Sequence, residues 1–462
     1  MTADVIVVGG GVVGASIAWG LARGAHDVCW LTGGSVAGSA TAAAGAMLAV
    51  FSEVSAGDDP ARQAIEVGAR LRGRRLWDEW LPLLGQAAGV DIAVSGGIHV
   101  VGRGPGDLAT LAAIRAAASA AGAASEVVAP ADVPGLHADA DARPAEAVHL
   151  PAEAAVDIAA LLGGLHAAVG SLPNVTVVPE RAARICPPGR LVTASGETLG
   201  GGDIVLAGGV ETTALLADSG LDGAVPALFG GRGVSLVVRA PEPAPACVRT
   251  PNRSFACGLH VVPRAGGLTY LGGTNRLSTL PEAGVGPHLS EVDDLIGGCV
   301  RELDTGLRRA ELVSTAVGYR PVTVDRLPLV GRTAVPGLLV ATGTWRNGIV
   351  LAPMLAELIA DEVARPGTTA AHPFAPTRVM DAPPLDGPML ARAADGIVTA
   401  ILAGTTLAPG RVADLTAFVG AALERACDPD GPPDRSVARL LGRAPMEEVL
   451  PLVFDLLARR RR

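Results

Sequence analysis

Lysine is missing from this 462-residue sequence, and all 37 of its basic residues are therefore arginines. Without lysine, the protein has no side chain that could hold pyridoxal phosphate as a Schiff base, and no P-loop lysine for nucleotide phosphates. The net charge of -9 at pH 7 argues against the basic surface that nucleic-acid binding requires. Aromatic residues make up only 3% of the sequence, so we expect helices that pack closely through small side chains.

Long apolar segments are also missing. The first apolar run is interrupted by five glycines within twenty residues, which indicates a buried strand and turn rather than a signal peptide or a membrane span. A later run, Gly396–Leu407, is shorter than the ~20 residues that a bilayer requires. The six cysteines form no C-x-x-C pair and the eight histidines no H-x-x-x-H pair. We therefore predict a cytoplasmic protein with reduced thiols and no metal site.

The most informative segment lies at the start of the chain. The apolar run Val5–Val8 leads into Gly9, Gly11 and Gly14, which have G-x-G-x-x-G spacing and are followed by a helical pattern. This arrangement predicts a strand, a tight turn and a helix whose N-terminus faces the pyrophosphate of a dinucleotide. The motif alone does not say which dinucleotide is bound.

The second strand of this predicted βαβ unit covers Asp27–Leu31. An acidic residue usually ends that strand and binds the adenosine ribose hydroxyls, but Thr32 stands in its place. A threonine hydroxyl binds ribose less strongly than a carboxylate does. We therefore predict weaker retention of the dinucleotide than the motif normally provides.

Further motifs follow in an order that resembles the D-amino-acid oxidase family of flavoproteins, and within it the glycine oxidase and sarcosine oxidase branch. The resemblance covers roughly residues 3–376. The segments that carry it, besides the glycine-rich start, are Thr41–Leu48, Asp203–Gly209, His260–Arg264, Gly318–Gly331 and Thr344–Pro353. The most specific of these contains Arg346–Pro353, which is similar to a flavin-contacting motif of glycine oxidases.

The resemblance implies an α/β fold with a Rossmann-like FAD-binding domain of the glutathione-reductase type and a mixed-sheet substrate domain. It leaves the C-terminal segment unexplained, for which the sequence pattern predicts a small helical extension. It implies a discontinuous FAD-binding domain over 1–85, 145–225 and 315–376, and a substrate-binding domain over 86–144 and 226–314. Residues 377–388 are interpreted as a linker. Residues 389–462 are interpreted as short helices for dimer contact or lid-building, which leaves a homo-oligomer open.

The resemblance also implies non-covalent FAD, because no cysteine lies near Gly318–Gly331 and no histidine lies in Ser39–Met47, where relatives attach their flavin. The implied cofactor-binding residues are Gly9, Gly11, Val12, Val13, Gly14, Thr32, Thr41, Ala43, Ala44, Gly45, Met47, Val178, Gly208, Arg346, Asn347, Gly348 and Ile349. The implied catalytic residues are Arg320, which would bind the substrate carboxylate, together with Arg346 and His260.

Besides Thr32, His260 departs from the family pattern, and so does the absence of lysine. His260 stands where glycine oxidases have a tyrosine that helps to bind the carboxylate, and this puts glycine itself in doubt as the substrate. The lysine that sarcosine oxidases place over the flavin to activate oxygen is absent, so an arginine or a histidine must replace it. We leave His260 open between an active-site role and that of a buried structural residue.

Three functions remain open. The first is oxidation of the C–N bond of glycine or an N-substituted glycine, with hydride transfer to flavin N5, release of a 2-oxo acid and an amine, and O2 as the electron acceptor. The second is oxidative cleavage or desaturation of a larger N-substituted or N–N-bonded amino acid in specialised metabolism. The third is a flavin-binding partner subunit without catalysis. None of them involves nucleic acid or a membrane.

Overall fold

The computed structural model describes residues 2–33, 38–56, 58–226, 228–252, 256–278, 286–380 and 409–427, together with 390, 391, 394 and 398. The helices are α1 (Val12–Arg23), α2 (Pro60–Ala88), α3 (Pro105–Ala120), α4 (Ile158–Gly170), α5 (Thr212–Asp218), α6 (Leu289–Glu302), α7 (Gly348–Ala364) and α8 (Pro409–Cys427). The strands are β1 (Thr2–Val8), β2 (Val28–Leu31), β3 (Gly38–Ser39), β4 (Met47–Leu48), β5 (Val94–Gly102), β6 (Glu126–Val128), β7 (Glu146–Val156), β8 (Val175–Val178), β9 (Ala182–Cys186), β10 (Arg190–Thr193), β11 (Thr198–Leu206), β12 (Phe229–Arg239), β13 (Cys247–Arg249), β14 (Ala256–Arg264), β15 (Leu268–Thr274), β16 (Arg276–Ser278), β17 (Glu311–Val322), β18 (Leu329–Arg332) and β19 (Leu338–Thr342).

The first sheet has the order β18-β19-β11-β1-β2-β8, with β10 and β9 added beside β11. Strand β1 lies in its centre and pairs in parallel with both β2 and β11. Its apolar residues Val5–Val8 are buried, as expected for a parallel strand covered on both faces. The predicted return of Asp203–Gly209 to this sheet is confirmed, because β11 ends at Leu206 beside β1.

Helices pack closely over this sheet. Helix α1 packs against α4 and α7, and α2 packs against α7. A Cβ at Gly20 of α1 would lie 3.4 Å from the Cβ of Ala356 on α7, and a Cβ at Gly73 of α2 would overlap the Val350 carbonyl oxygen. Close packing of helices through small residues is therefore confirmed at both contacts.

The second sheet has the order β3-β17-β12-β15-β14-β13-β5-β7-β4, with β16 beside β12 and β6 beside β7. Most of its pairs are antiparallel, whereas β13 pairs with β5 and β17 with β3 in parallel. Helices α3 and α6 pack against it. The predicted mixed sheet is thus confirmed, and with it the fold class.

Two strands at the predicted domain bounds pair within the second sheet. Glu146–Val156 pairs with β5, and Glu311–Val322 pairs with β12, so both belong to the second sheet. The predicted FAD-binding segments 145–225 and 315–376 therefore begin with residues of the second sheet. Val322, at the end of β17, forms an isolated bridge with Thr344, which follows β19 of the first sheet, so β17 ends beside that sheet.

The C-terminal segment contributes α8, whose Val419 and Leu423 are buried. A Cβ at Gly420 would lie 3.9 Å from the Cβ of Ala394, so this helix packs beside Ala394. The remainder of the predicted extension, and most of the predicted linker, lie outside the described residues. In the described part of the chain, no helix is long and apolar enough to cross a membrane, and no group of histidine, cysteine or carboxylate side chains is arranged to hold a metal.

Candidate active site

The glycine turn between β1 and α1 is closely packed. Gly9 has a φ of +137°, and a Cβ there would overlap the carbonyl oxygen of Ala207. A Cβ at Gly14 would in turn overlap the Gly9 carbonyl oxygen. Only glycine fits at these two positions. Gly9 has a backbone angle that other residues rarely adopt, and at Gly14 the helix lies too close to the turn for a side chain. The turn therefore presents backbone, rather than side chains, at the start of α1.

Thr32 follows β2 directly, at the position that the sequence predicts for the ribose. Its amide donates to the Val178 carbonyl oxygen at 3.1 Å, so Thr32 and Val178 lie at the same edge of the first sheet. A Cβ at Gly10 would overlap the Thr32 carbonyl oxygen. The glycine turn, Thr32 and the end of β8 are therefore neighbours.

The segment after β3 connects the glycine turn with the second sheet. The Thr41 hydroxyl accepts a hydrogen bond from the Val12 amide at 3.2 Å. Two residues later, the Ala43 carbonyl accepts from the Tyr270 hydroxyl at 2.8 Å, and the Ala44 carbonyl accepts from Arg264 at 2.8 Å. The segment forms turns and the short strand β4 rather than a helix. Its backbone thus lies between the turn that precedes α1 and the face of the second sheet.

The turn that precedes α7 approaches the end of β17. The Trp345 amide donates to the Pro321 carbonyl oxygen at 2.8 Å, next to Arg320. Trp345 has a φ of +45°, which is a strained conformation for a bulky residue. The two motifs that support the resemblance most strongly, around Arg320 and around Arg346, are therefore adjacent in space.

Arg320 lies half-buried on β17 and bonds to neutral oxygens. Its guanidinium donates to the Thr274 carbonyl at 3.2 Å and to Asn275 Oδ1 at 3.3 Å. It covers Gly233 on the neighbouring strand, where a Cβ would lie 2.5 Å from an Arg320 nitrogen. In the part of the chain that the structure describes, no carboxylate pairs with Arg320. Its positive charge is therefore available to an anionic ligand.

Arg346 is in a different environment. Its guanidinium lies 4.0 Å from the Trp345 ring centroid, and its Nε lies 3.1 Å from Glu53 Oε2. The other oxygen of Glu53 accepts from Arg249 at 2.5 Å. Burial alone would raise the pKa of Glu53, but Arg249 and Arg346 beside it outweigh burial and lower this pKa to about 2. Glu53 is therefore ionised and joins two arginines that come from distant parts of the chain.

His260 is buried beside the residues that precede β4. Its Nδ1 lies 2.9 Å from the Gly258 carbonyl oxygen, and its ring stacks on Tyr270 with centroids 5.7 Å apart. A Cβ at Gly45 would lie 3.0 Å from His260 Nε2. Because a carbonyl only accepts, Nδ1 must carry the proton, and Nε2 is an acceptor. Burial and the nearby Arg249 lower the pKa of His260 to about 3.

Sequence reasoning missed Glu53, Arg249, Arg264 and Tyr270. All four contact the predicted residues, two of them through carbonyl oxygens of the segment after β3. Nothing in the local pattern around Arg249 distinguishes it from the other arginines. A signal was present for Glu53, because it is the only carboxylate in the segment Ser39–Glu53.

The residues present fit a bound FAD. Gly11 is the N-cap of α1 without a side-chain cap, and the first turn of that helix has no acidic residue, as a pyrophosphate requires. Asn347 at the N-cap of α7 likewise makes no capping bond with its side chain. The buried Trp345 Nε1 has no acceptor in the described part of the chain, as expected where a bound group supplies one. Both helix ends can therefore receive negative charge.

Comparison with known proteins agrees with this geometry. The family model described as FAD dependent oxidoreductase (DAO) matches residues 4–362. The chain is 30% identical over 403 residues to a glycine oxidase from Geobacillus kaustophilus, which covers 81% of this chain and 97% of the relative. It is 28% identical over 378 residues to a glycine oxidase from Pseudomonas putida, which covers 78% of this chain and 94% of the relative.

Solved structures give the same result for the fold. The crystal structure of the glycine oxidase from Geobacillus kaustophilus matches with a TM-score of 0.71 and 27% identity, over 82% of this chain and all of that protein. The iminodiacetate oxidase from Chelativorans sp. matches with a TM-score of 0.67 and 21% identity, over 80% of this chain and 98% of that protein. At 21% identity the second match supports the fold alone.

Proposed function

Because the chain belongs to the DAO family of FAD-dependent oxidoreductases, we propose that it oxidises the C–N bond of a glycine-like or N-substituted amino acid. FAD, when bound, supplies the hydride acceptor at its N5 atom, and O2 is the proposed final electron acceptor. Loss of hydride from the substrate Cα gives an imine, which water hydrolyses to a glyoxylate-type 2-oxo acid and an amine. The residues around the second sheet then have to orient a small zwitterion and balance its charge.

One observation carries this proposal, namely an arginine whose positive charge is available beside the predicted flavin segments. Among the residues that the structure describes, Arg320 donates to the neutral oxygens of Thr274 and Asn275 and pairs with no carboxylate. The planar guanidinium of an arginine matches a carboxylate in a two-pronged ion pair. Held in this way, the substrate would present its Cα at a fixed position, which is the main contribution that a protein makes to a hydride transfer.

Arg346 has a second proposed role. The chain has no lysine to provide a positive charge for the reaction with O2, and a neutral His260 cannot provide one either. Arg346 remains charged and is held beside Trp345 by Glu53. We therefore assign to Arg346 the electrostatic role that the sequence leaves open between arginine and histidine.

The domain division follows from the same proposal. The first sheet, with the glycine turn and the ends of β2 and β8, would form the FAD-binding domain. The second sheet, with Arg320 and His260, would form the substrate-binding domain. The segment after β3 and the turn before α7 lie where the two meet, because each of them bonds to residues of the second sheet.

A larger substrate is a second candidate, and His260 is the observation that favours it. An imidazole is shorter than the phenol that glycine oxidases have at this position, and its Nε2 is an acceptor rather than a donor. It would leave more room and would not bind a carboxylate oxygen. An amino acid with a bulkier N-substituent, or with an N–N bond, would suit such a site.

The proposed function is tested by following the flavin absorbance of the purified protein under anaerobic conditions. We expect flavin bands that bleach when a suitable amino acid is added and that return when O2 is admitted. Glycine, sarcosine and N-alkylglycines of increasing size form the panel, and the rates of bleaching separate the two substrate classes. If flavin is bound but no amine or amino acid bleaches it, the oxidase proposal is wrong and a partner subunit without catalysis becomes the better description.

We also expect the pH dependence of kcat/KM to contain no inflection that belongs to His260. Burial and the nearby Arg249 hold the pKa of His260 at about 3, so the imidazole stays neutral between about pH 5 and pH 8, where a solvent-exposed histidine would titrate. Profiles of the wild type and of His260→Phe should therefore have the same shape, even if their heights differ. An inflection near pH 6.5 that disappears in His260→Phe would contradict this assignment.

A further inference from the structure

Two side chains donate hydrogen bonds to carbonyl oxygens of the glycine turn. Trp30 Nε1 donates to the Gly9 carbonyl oxygen at 2.9 Å, and His166 Nε2 lies 2.8 Å from the Gly10 carbonyl oxygen. Because a carbonyl can only accept, His166 must carry a proton on Nε2. Trp30 comes from β2 and His166 from α4, so neither bond follows from the glycine motif itself.

The two side chains form one unit. The ring centroids of Trp30 and His166 are 4.7 Å apart, with an angle of 72° between the ring planes, which is an edge-to-face contact. Trp30 is only 1% exposed, and it is among the largest fully buried side chains of the described residues. The rings therefore have little freedom, and the hydrogens that they donate point in fixed directions.

These bonds determine where the amides of the turn point. In a trans peptide, the carbonyl oxygen and the next amide hydrogen lie in the peptide plane and point to opposite sides of the C–N bond. With the Gly9 and Gly10 carbonyls bonded to Trp30 and His166, the amides of Gly10 and Gly11 point away from these rings. Neither of the two amides donates to an acceptor in the described part of the chain.

We propose that Trp30 and His166 are positioning residues for the cofactor, which hold the amides of Gly10 and Gly11 towards the pyrophosphate of FAD. This rests on the proposed placement of the pyrophosphate at the glycine turn. A turn held in its binding conformation loses less freedom when FAD binds, and affinity rises accordingly. Stronger binding of the pyrophosphate offsets the weaker contact with the ribose, where Thr32 replaces the carboxylate.

The test compares Trp30→Phe and His166→Phe, which keep an aromatic ring and remove the donor, with wild-type protein. The dissociation constant for FAD is measured by titrating apoprotein into FAD and following the quenching of flavin fluorescence. We expect each variant to raise this constant about 3- to 10-fold, which is the effect of losing one hydrogen bond. Thermal unfolding of the apoproteins, followed by circular dichroism, should change much less than that of the FAD-bound proteins.

Two further variants make the result specific. Trp19→Phe is the matched control, because Trp19 is a buried indole on α1 whose Nε1 has no acceptor in the described residues, and it should leave FAD affinity unchanged. His166→Gln keeps a donor close to the Nε2 position and should restore most of the affinity. If the donor-free variants bind FAD within twofold of wild type, or if Trp19→Phe weakens binding equally, the positioning role is wrong. A wild-type protein that binds no FAD would instead overturn the proposed cofactor site.

Discussion

Replacing Arg320 by alanine is expected to lower kcat/KM for an amino-acid substrate by about 30- to 5,000-fold, chiefly through a higher KM. This range corresponds to ~2–5 kcal/mol, the usual cost of removing one partner from a charge-assisted pair at a binding site. The reason lies in the contacts of Arg320, which are to the neutral oxygens of Thr274 and Asn275. Steady-state kinetics of the variant, loaded with FAD, measure the effect.

Three comparisons make this result specific to a carboxylate. Arg320→Lys keeps the charge but loses the planar fork, and should recover only part of the activity. Arg239→Ala removes an exposed arginine from the end of β12 and should behave like wild type. For an amine without a carboxylate, the rate of oxidation by Arg320→Ala should be only slightly lower than the rate with wild type. The carboxylate assignment fails if the variant handles sarcosine as well as wild type does, or if both kinds of substrate slow down equally.

The sequence predicted the local elements well because their patterns are short. The strand Val175–Val178 has the same bounds in the structure, and the strand, turn and helix at the start of the chain form as the glycine spacing indicates. The apolar run Asp203–Gly209 does return beside β1. In each case the periodicity of apolar residues, or the positions of glycines, contains the information.

The contacts that shape the candidate site could not be predicted in this way. Glu53 and Arg249 are 196 positions apart, and Tyr270 reaches the Ala43 carbonyl across 227 positions. The chain has 37 arginines, and no local pattern distinguishes Arg249 from Arg320. Arg249 is buried and donates to the Glu53 carboxylate, whereas Arg320 donates to the neutral oxygens of Thr274 and Asn275. The acceptor character of His260 depends likewise on one carbonyl, that of Gly258, and a tautomer has no signature in a sequence.

The same limit applies to the two strands at the predicted domain bounds. For β7 and β17 no local pattern says which sheet the strand joins. That choice is made by pairing with β5 and β12, which lie far away in the sequence. Local pattern therefore indicates the type of an element, and pairing between distant residues decides its partner.

Replacing Glu53 by glutamine is expected to destabilise the folded protein strongly. The carboxylate is buried and is shared by Arg249 and Arg346, so the amide leaves both guanidiniums without the negative charge that they share. Removing one partner from a buried ion pair typically costs ~3–5 kcal/mol. Thermal unfolding of wild type and variant at pH 7, together with kcat/KM, measures the loss and shows whether Arg346 is misplaced with it.

The pH dependence of this loss identifies its cause. Arg249 and Arg346 outweigh burial and lower the pKa of Glu53 from 4.5 to about 2, so its stabilising effect is complete above pH 4.5 and disappears as the pH falls towards 2. The difference in unfolding temperature between wild type and Glu53→Gln should therefore narrow over that interval. Glu357→Gln is the control, because its pair with Arg72 is exposed and such pairs contribute only ~0–1 kcal/mol. A difference that stays constant as the pH is lowered would show that the amide destabilises the protein through packing, and that the shared charge of Glu53 is not what holds Arg249 and Arg346 in place.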